Sequence, residues 1–260
     1  MSKYHKLSQQ PLKLTLVEVK FSTIARMDKY IPDIQDELRH DYPIFQELEE
    51  RSINVSNDNV TIESPKRWVF IDKAKTCCVE LNANRVVFVT SDYDRFDGFL
   101  NKVHNILNII NKIINPGLFS RVGLRFCDCV KSLNNQDSDL LELVHPSLII
   151  HDTFNQLGMK ALQRQENIIK TQHGFLAIRT KNGVFSENLP DDLINGVITV
   201  LPDDQPTLRL MLDFDHFWQD ENNQKDFNID GILTLMSELH ESSREAFWML
   251  TTEKAKQVWL

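Results

Sequence analysis

Val17, Val19 and Phe21 alternate with Glu18, Lys20 and Ser22, a two-residue period that predicts a half-buried strand early in the chain. The period then becomes helical. Met27, Ile31, Ile34 and Leu38 share a face, with Asp28 near the start and Arg39 and His40 at the end, where each charge suits the helix dipole. Tyr42-Pro43 closes that helix. Trp68 to Ile71, Thr76 to Leu81 and Arg85 to Thr90 read as an antiparallel meander, the last two strands joined through Asn82-Ala83-Asn84. A long helix follows from Tyr93 to Ile114, stopped by Pro116-Gly117, and Val122, Leu124 and Phe126 mark another strand.

The run Ser132-Leu133-Asn134-Asn135-Gln136-Asp137-Ser138 is polar and rich in turn formers, which sets a soft boundary between residues 1–131 and 132–260. Beyond it the pattern predicts a short helix at Leu140 to Val144 and strands at Phe175 to Thr180, Val197 to Leu201 and Leu208 to Phe214. The last element is a helix from Asp230 to Met249, in which Ile232, Leu235, Met236 and Leu239 keep the helical period. The fold class is therefore α+β: mostly antiparallel sheets, each covered by one or two long helices, in two halves of similar outline.

Composition adds limits to this picture. With 260 residues and 42% hydrophobic side chains, the chain can bury a core without disulfides. The cysteines stand in two tight pairs, Cys77-Cys78 and Cys127-x-Cys129, too close for zinc-ribbon half-sites, and strand neighbours point to opposite faces. Buried, reduced thiols and a cytoplasmic location are expected. The polar opening, Met1 to Gln10, has no apolar signal-peptide core. Phe99 to Ile114 is interrupted by Asn101, Lys102, His104, Asn105, Asn108, Asn111 and Lys112, so no membrane partner is expected.

The net charge is −8, unevenly spread: residues 1–130 carry 18 basic and 17 acidic side chains, and the rest carry 11 and 20. An acidic second half repels phosphate backbones, which disfavours nucleic acid. Any such contact would fall to the near-neutral first half. With eight glycines and no Walker loop, G-x-G-x-x-G or G-x-S-x-G, no cofactor is implied. The histidines form neither H-x-x-x-H nor H-E-x-x-H.

Asp213, Asp215 and His216, with Asp220 beyond them, come nearest to a metal constellation, because carboxylates and an imidazole suit a divalent cation for hydrolysis. The plain alternative is a polar strand face. Leu208, Leu210, Leu212 and Phe214 alternate with Arg209, Met211, Asp213 and Asp215, so the carboxylates lie opposite the apolar set, solvated or paired with Arg179 and Arg209. Arg121 and Arg125 share a strand face with Gly123 between them, a pair suited to clamping a phosphate, a carboxylate or a partner's acidic patch. Ion pairs with Glu18 or Glu80 explain them equally well. Trp218 and Trp259 sit among polar residues, where an exposed aromatic anchor is expected. The remaining aromatics read as core.

Several short segments together resemble a sporadically distributed family of uncharacterised prokaryotic proteins of about this length that open with a Pro-Leu and a Val-x-x-Glu-type strand. They are Pro11-Leu12, Val17-Glu18-Val19-Lys20-Phe21, Arg67-Trp68-Val69-Phe70, Arg121-Val122-Gly123-Leu124-Arg125-Phe126, Leu212-Asp213-Phe214-Asp215, Ala246-Phe247 and Leu250-Thr251-Thr252-Glu253. The resemblance implies no activity and no catalytic residue, and patchy distribution implies a mobile-element or defence-linked setting. The leading expectation is a non-catalytic protein-binding or accessory subunit, with another protein as partner and self-association compatible. The rival is a metal-dependent hydrolase, a nuclease or toxin, using Asp213, Asp215 and His216. An RNA-binding module built on the first half is the third reading.

Overall fold

The structure is a computed structural model, and it describes residues 7–49, 52–56, 59–63, 66–149, 157–158 and 161–260. Twelve strands are described: β1 Leu12–Phe21, β2 Ile44–Glu49, β3 Ser52–Ser56, β4 Asn59–Glu63, β5 Lys66–Ile71, β6 Cys77–Asn82, β7 Arg85–Thr90, β8 Leu118–Lys131, β9 Leu162–Lys170, β10 Phe175–Phe185, β11 Thr207–Gln219 and β12 Lys225–Asp226. The α-helices are α1 Ile31–Leu38, α2 Phe96–Ile113, α3 Asp137–Leu143, α4 Ile229–Met249 and α5 Glu253–Trp259. The fold is α+β. One antiparallel sheet runs β2-β5-β6-β7-β1-β8-β11-β10-β9, with β12 on β8, and β3-β4 form a separate hairpin. Among the described residues, no helix is long and apolar enough to cross a membrane.

The chain divides into two compact units, residues 16–122 with 219–234, and residues 1–15 with 123–218 and 235–260; their limits fall inside β1, β8, β11 and α4. The boundary expected after Lys131 thus lies within the second of these units. The polar run there is a fastened turn. Ser132 Oγ donates to Asp139 at 2.8 Å and accepts from the Gln136 amide, and the Ser132 amide donates to the Leu208 carbonyl.

In the unit of residues 16–122 and 219–234, the expected meander is present as β5-β6-β7. Asp72 accepts from the Thr76 and Cys77 amides, both at 2.8 Å, and so closes the β5–β6 turn. On α2, Phe99, Val103, Ile106, Leu107 and Ile110 are buried at helical spacing, and Phe99 meets Phe88 of β7 with ring centroids 5.4 Å apart. Asn115 takes a left-handed conformation (φ 48°) to end α2, and Pro116 bars its resumption. On α1 the buried residues are Ile31, Ile34 and Leu38.

In the other unit β10 pairs with β11 on one side and β9 on the other, with Arg179 opposite both Asp213 and Glu166. Leu235, Met236 and Leu239 of α4 are buried, and Phe247 packs edge-on to Phe214 of β11. Thr252 caps α5 by accepting from the Ala255 amide at 3.1 Å. Sequence and structure differ three times in this unit. The helix ending at Met249 is not the last element, since the short, Thr252-capped α5 follows it. Val197 to Leu201 contains no strand, because only Ile198 is fully buried, between the Asn195-Gly196 turn and Pro202; Leu201 faces solvent. Conversely, β9 has no signature in the sequence, because Leu162–Lys170 buries a single side chain, Gln163, and shows no apolar alternation.

Candidate functional site

Asp213 and Asp215 share a face of β11, as strand phase requires, but both are held by arginines. Arg125 Nε lies 2.7 Å from Asp213 Oδ1 and its Nη2 2.8 Å from Oδ2, a bidentate fork; Arg179 Nη1 stands 3.5 Å from Asp213 and 3.4 Å from Asp215. His216 points to the opposite face. Its Nδ1 donates to the Leu239 carbonyl at 2.8 Å, so the neutral ring accepts at Nε2 from the Thr171 hydroxyl, also at 2.8 Å. Burial lowers its pKa and keeps it neutral. Asp220 serves a turn, accepting from the Asn222 and Asn223 amides at 3.1 and 2.9 Å. The sequence motif therefore does not converge. Among the described residues, no group of three or more His, Cys, Asp or Glu side chains is placed to hold a metal ion.

The two arginines of β8 are also committed within the chain. Arg121 Nε donates to Glu18 at 2.9 Å and its Nη1 to Gln219 at 2.9 Å. Arg125, forked on Asp213, turns its other edge to Asp192, with Nη1 and Nη2 at 2.6 and 3.0 Å. Glu18 is thus the partner expected for Arg121, whereas Glu80 pairs with Arg67 at 3.1 Å. Trp259 is 6% exposed and stacks on Phe247 at 5.9 Å, which makes it a core residue and corrects its reading as an exposed anchor. Trp218 is half-buried. The cysteines are free and buried, and burial raises the thiol pKa of Cys78, Cys127 and Cys129.

The segment between β10 and β11 supplies three aspartates to basic side chains of the sheet. Asp191 meets Lys181 at 2.7 Å, Asp192 meets Arg125, and Asp203 meets Lys131 at 2.6 Å and Arg209 at 3.0 Å. Arg209 has no solvent exposure. Its Nη1 also donates to the carbonyls of Ser186 and Glu187 and to Asn188 Oδ1. Lys131, foremost, with Asn188 and Arg209 holds the Asp203 carboxyl down to about 2. The sequence places Arg209 on a polar strand face, solvated or ion-paired. It is buried because residues 186–206 fold over it, a long-range contact that strand periodicity does not encode.

β9, the last strand in the sheet order, carries several exposed apolar side chains. Ile168 is 64% exposed and Leu162 48%, and Ile169 is also exposed; Phe175 of β10 adds its ring to the same end, 6.1 Å from Phe217. Among the described residues no strand pairs with the outer edge of β9. Gly174 makes the β9–β10 turn possible. Its φ is +152°, and a Cβ there would stand 2.0 Å from the Phe217 carbonyl oxygen.

Comparison with known proteins finds no family model and no curated sequence that the chain matches.

Proposed function

We propose that this chain is a non-catalytic protein-binding subunit whose docking edge is β9. The observation that carries this reading is the combination of exposed Leu162, Ile168 and Ile169 with a backbone edge that no strand among the described residues pairs. Edge strands are ordinarily blunted by charge, bulges or cover, because free N–H and C=O groups recruit another strand. Main-chain pairing supplies affinity in such additions, and alternate side chains select the partner. Charged groups elsewhere in the unit contribute little to recognition, since Arg125, Arg179, Arg209, Asp213 and Asp203 already satisfy one another.

The anchor expected from sequence, Arg121 with Arg125, accordingly passes to the β9 edge. The test compares the tagged chain with its Ile168→Lys variant as bait in the native host. A stoichiometric protein that the wild type retains and the variant loses supports the reading. Equal recovery by both baits refutes β9 as the edge. Magnesium- or manganese-dependent hydrolysis that Asp215→Asn abolishes would replace it with the hydrolase reading.

A further inference from the structure

We propose that β9 pairs antiparallel with β9 of a second copy of this chain, about a two-fold axis through Gln165. The inference rests on β9 being the docking edge and names its partner.

Three observations lead to it. The first is an alternating row of charge across four strands. Arg125 on β8 pairs with Asp213 on β11 at 2.7 Å, Asp213 with Arg179 on β10 at 3.5 Å, and Arg179 with Glu166 on β9 at 2.7 Å. The row ends at the sheet edge on a carboxylate whose side chain is 53% exposed. A cation on the next strand would continue it. The second is the phase of the ladder. The Thr171 amide bonds the Gly174 carbonyl at 2.8 Å, and the register pairs Lys170 with Phe175. Odd-numbered residues of β9 therefore turn their backbone groups toward β10, and those of Leu162, Arg164, Glu166 and Ile168 point outward, where no strand among the described residues pairs with them.

The third is the sequence of β9 read against itself. With Gln165 opposite Gln165, Arg164 faces Glu166 of the second copy, Leu162 faces Ile168, and Gln163 faces Asn167. The cation that the row requires is thereby supplied, twice, by symmetry, by Arg164, which within its own copy meets Asp191 at 2.5 Å. Exposed Leu162 and Ile168 cover each other in the same pairing. Other axes fit less well: one through Glu166 sets two carboxylates face to face, one through Arg164 two guanidiniums, one through Asn167 sets Arg164 against Lys170, and one through Ile168 sets Glu166 against Lys170 but pairs only residues 166–170 and leaves Leu162 uncovered. The register about Gln165 pairs the longest stretch, residues 162–168, with no like charges opposed.

The test is the molar mass of the purified full chain by sedimentation velocity across a concentration series, with Arg164→Glu, Glu166→Arg and the double swap. The wild type is expected to dimerise. Each single reversal places two like-charge pairs at the seam and should weaken association at least about tenfold, while the double swap restores it. Thermal unfolding of each variant verifies its fold, and the restored double variant excludes a general folding defect. A monomer at every concentration overturns the proposal, as does a dimer indifferent to the single reversals. If the chain is monomeric yet Ile168→Lys releases a different protein, self-pairing fails while the protein-binding reading stands; if it is monomeric and binds nothing through β9, both fall.

Discussion

Asp128 is a carboxyl on the same face of β8 as Leu124, Phe126 and Val130, only 6% exposed, and burial pushes its pKa up to about 8; Asp213 adds to the effect, and Lys13 opposes it too weakly. In the unfolded chain the group ionises near its ordinary value of 3.8. Between those values the folded state binds more protons than the unfolded one, so stability falls as pH rises. The loss begins near about pH 4, grows by about 1.4 kcal/mol per pH unit, and levels off near about pH 8. At neutral pH the penalty is about 4 kcal/mol, a large share of a typical domain's stability. Asp128→Asn removes the titration while preserving shape. Denaturant unfolding of both proteins from about pH 4.5 to about 7.5 isolates the effect, because other titrating groups are common to both proteins and a packing difference is the same at every pH. The stability advantage of the variant should grow by about 4 kcal/mol over that range. A difference that stays flat with pH would refute the reasoning and mean that the folded protein keeps this carboxylate charged at no cost.

Arg209→Met leaves the carbonyls of Ser186 and Glu187 and the Asn188 side chain without their buried donor, so stability should fall by about 3 kcal/mol in chemical denaturation. Arg209→Lys should not rescue it, since one ammonium cannot reproduce the planar fork. Gly174→Ala puts a methyl against the Phe217 carbonyl and forces a residue out of φ +152°, so it should cost about 2 kcal/mol or more and raise amide exchange along β9. The four thiols should react with an aromatic disulfide reagent only through global unfolding, in proportion to the unfolded fraction, so denaturant below the transition should raise the rate in step with the loss of stability.

How far the sequence speaks depends on whether local periodicity or distant chain decides a residue's surroundings. The β5-β6-β7 meander and helices α2 and α4 each bury one face over many residues, so Phe99, Val103 and Ile110, or Leu235 and Leu239, announce them. The ends are set more subtly: β8 runs from Leu118 to Lys131, well past the apolar triplet Val122, Leu124 and Phe126. Strand phase also places Asp213 with Asp215 and separates His216 from them, which was latent in the alternation and decides against convergence. The pairing of Arg125 with Asp192 is not legible, because the two stand 67 positions apart and an irregular segment delivers the carboxylate. The same segment buries Arg209. β9 illustrates the opposite limit: an edge strand with one buried side chain carries no hydrophobic period, and the exposure of Ile168 becomes meaningful only once the sheet order puts it at an edge.

The central claim, that β9 is the edge through which this protein binds another chain, is tested most directly by residue-resolved amide hydrogen exchange at Arg164, Glu166 and Ile168. Their N–H groups point away from β10, so no bond within the sheet protects them. The account predicts slow exchange at these three amides when the protein is concentrated, and fast exchange when it is dilute or when Arg164→Glu is introduced. Fast exchange at all three under every condition, while those of Gln165 and Asn167 stay protected, would contradict it.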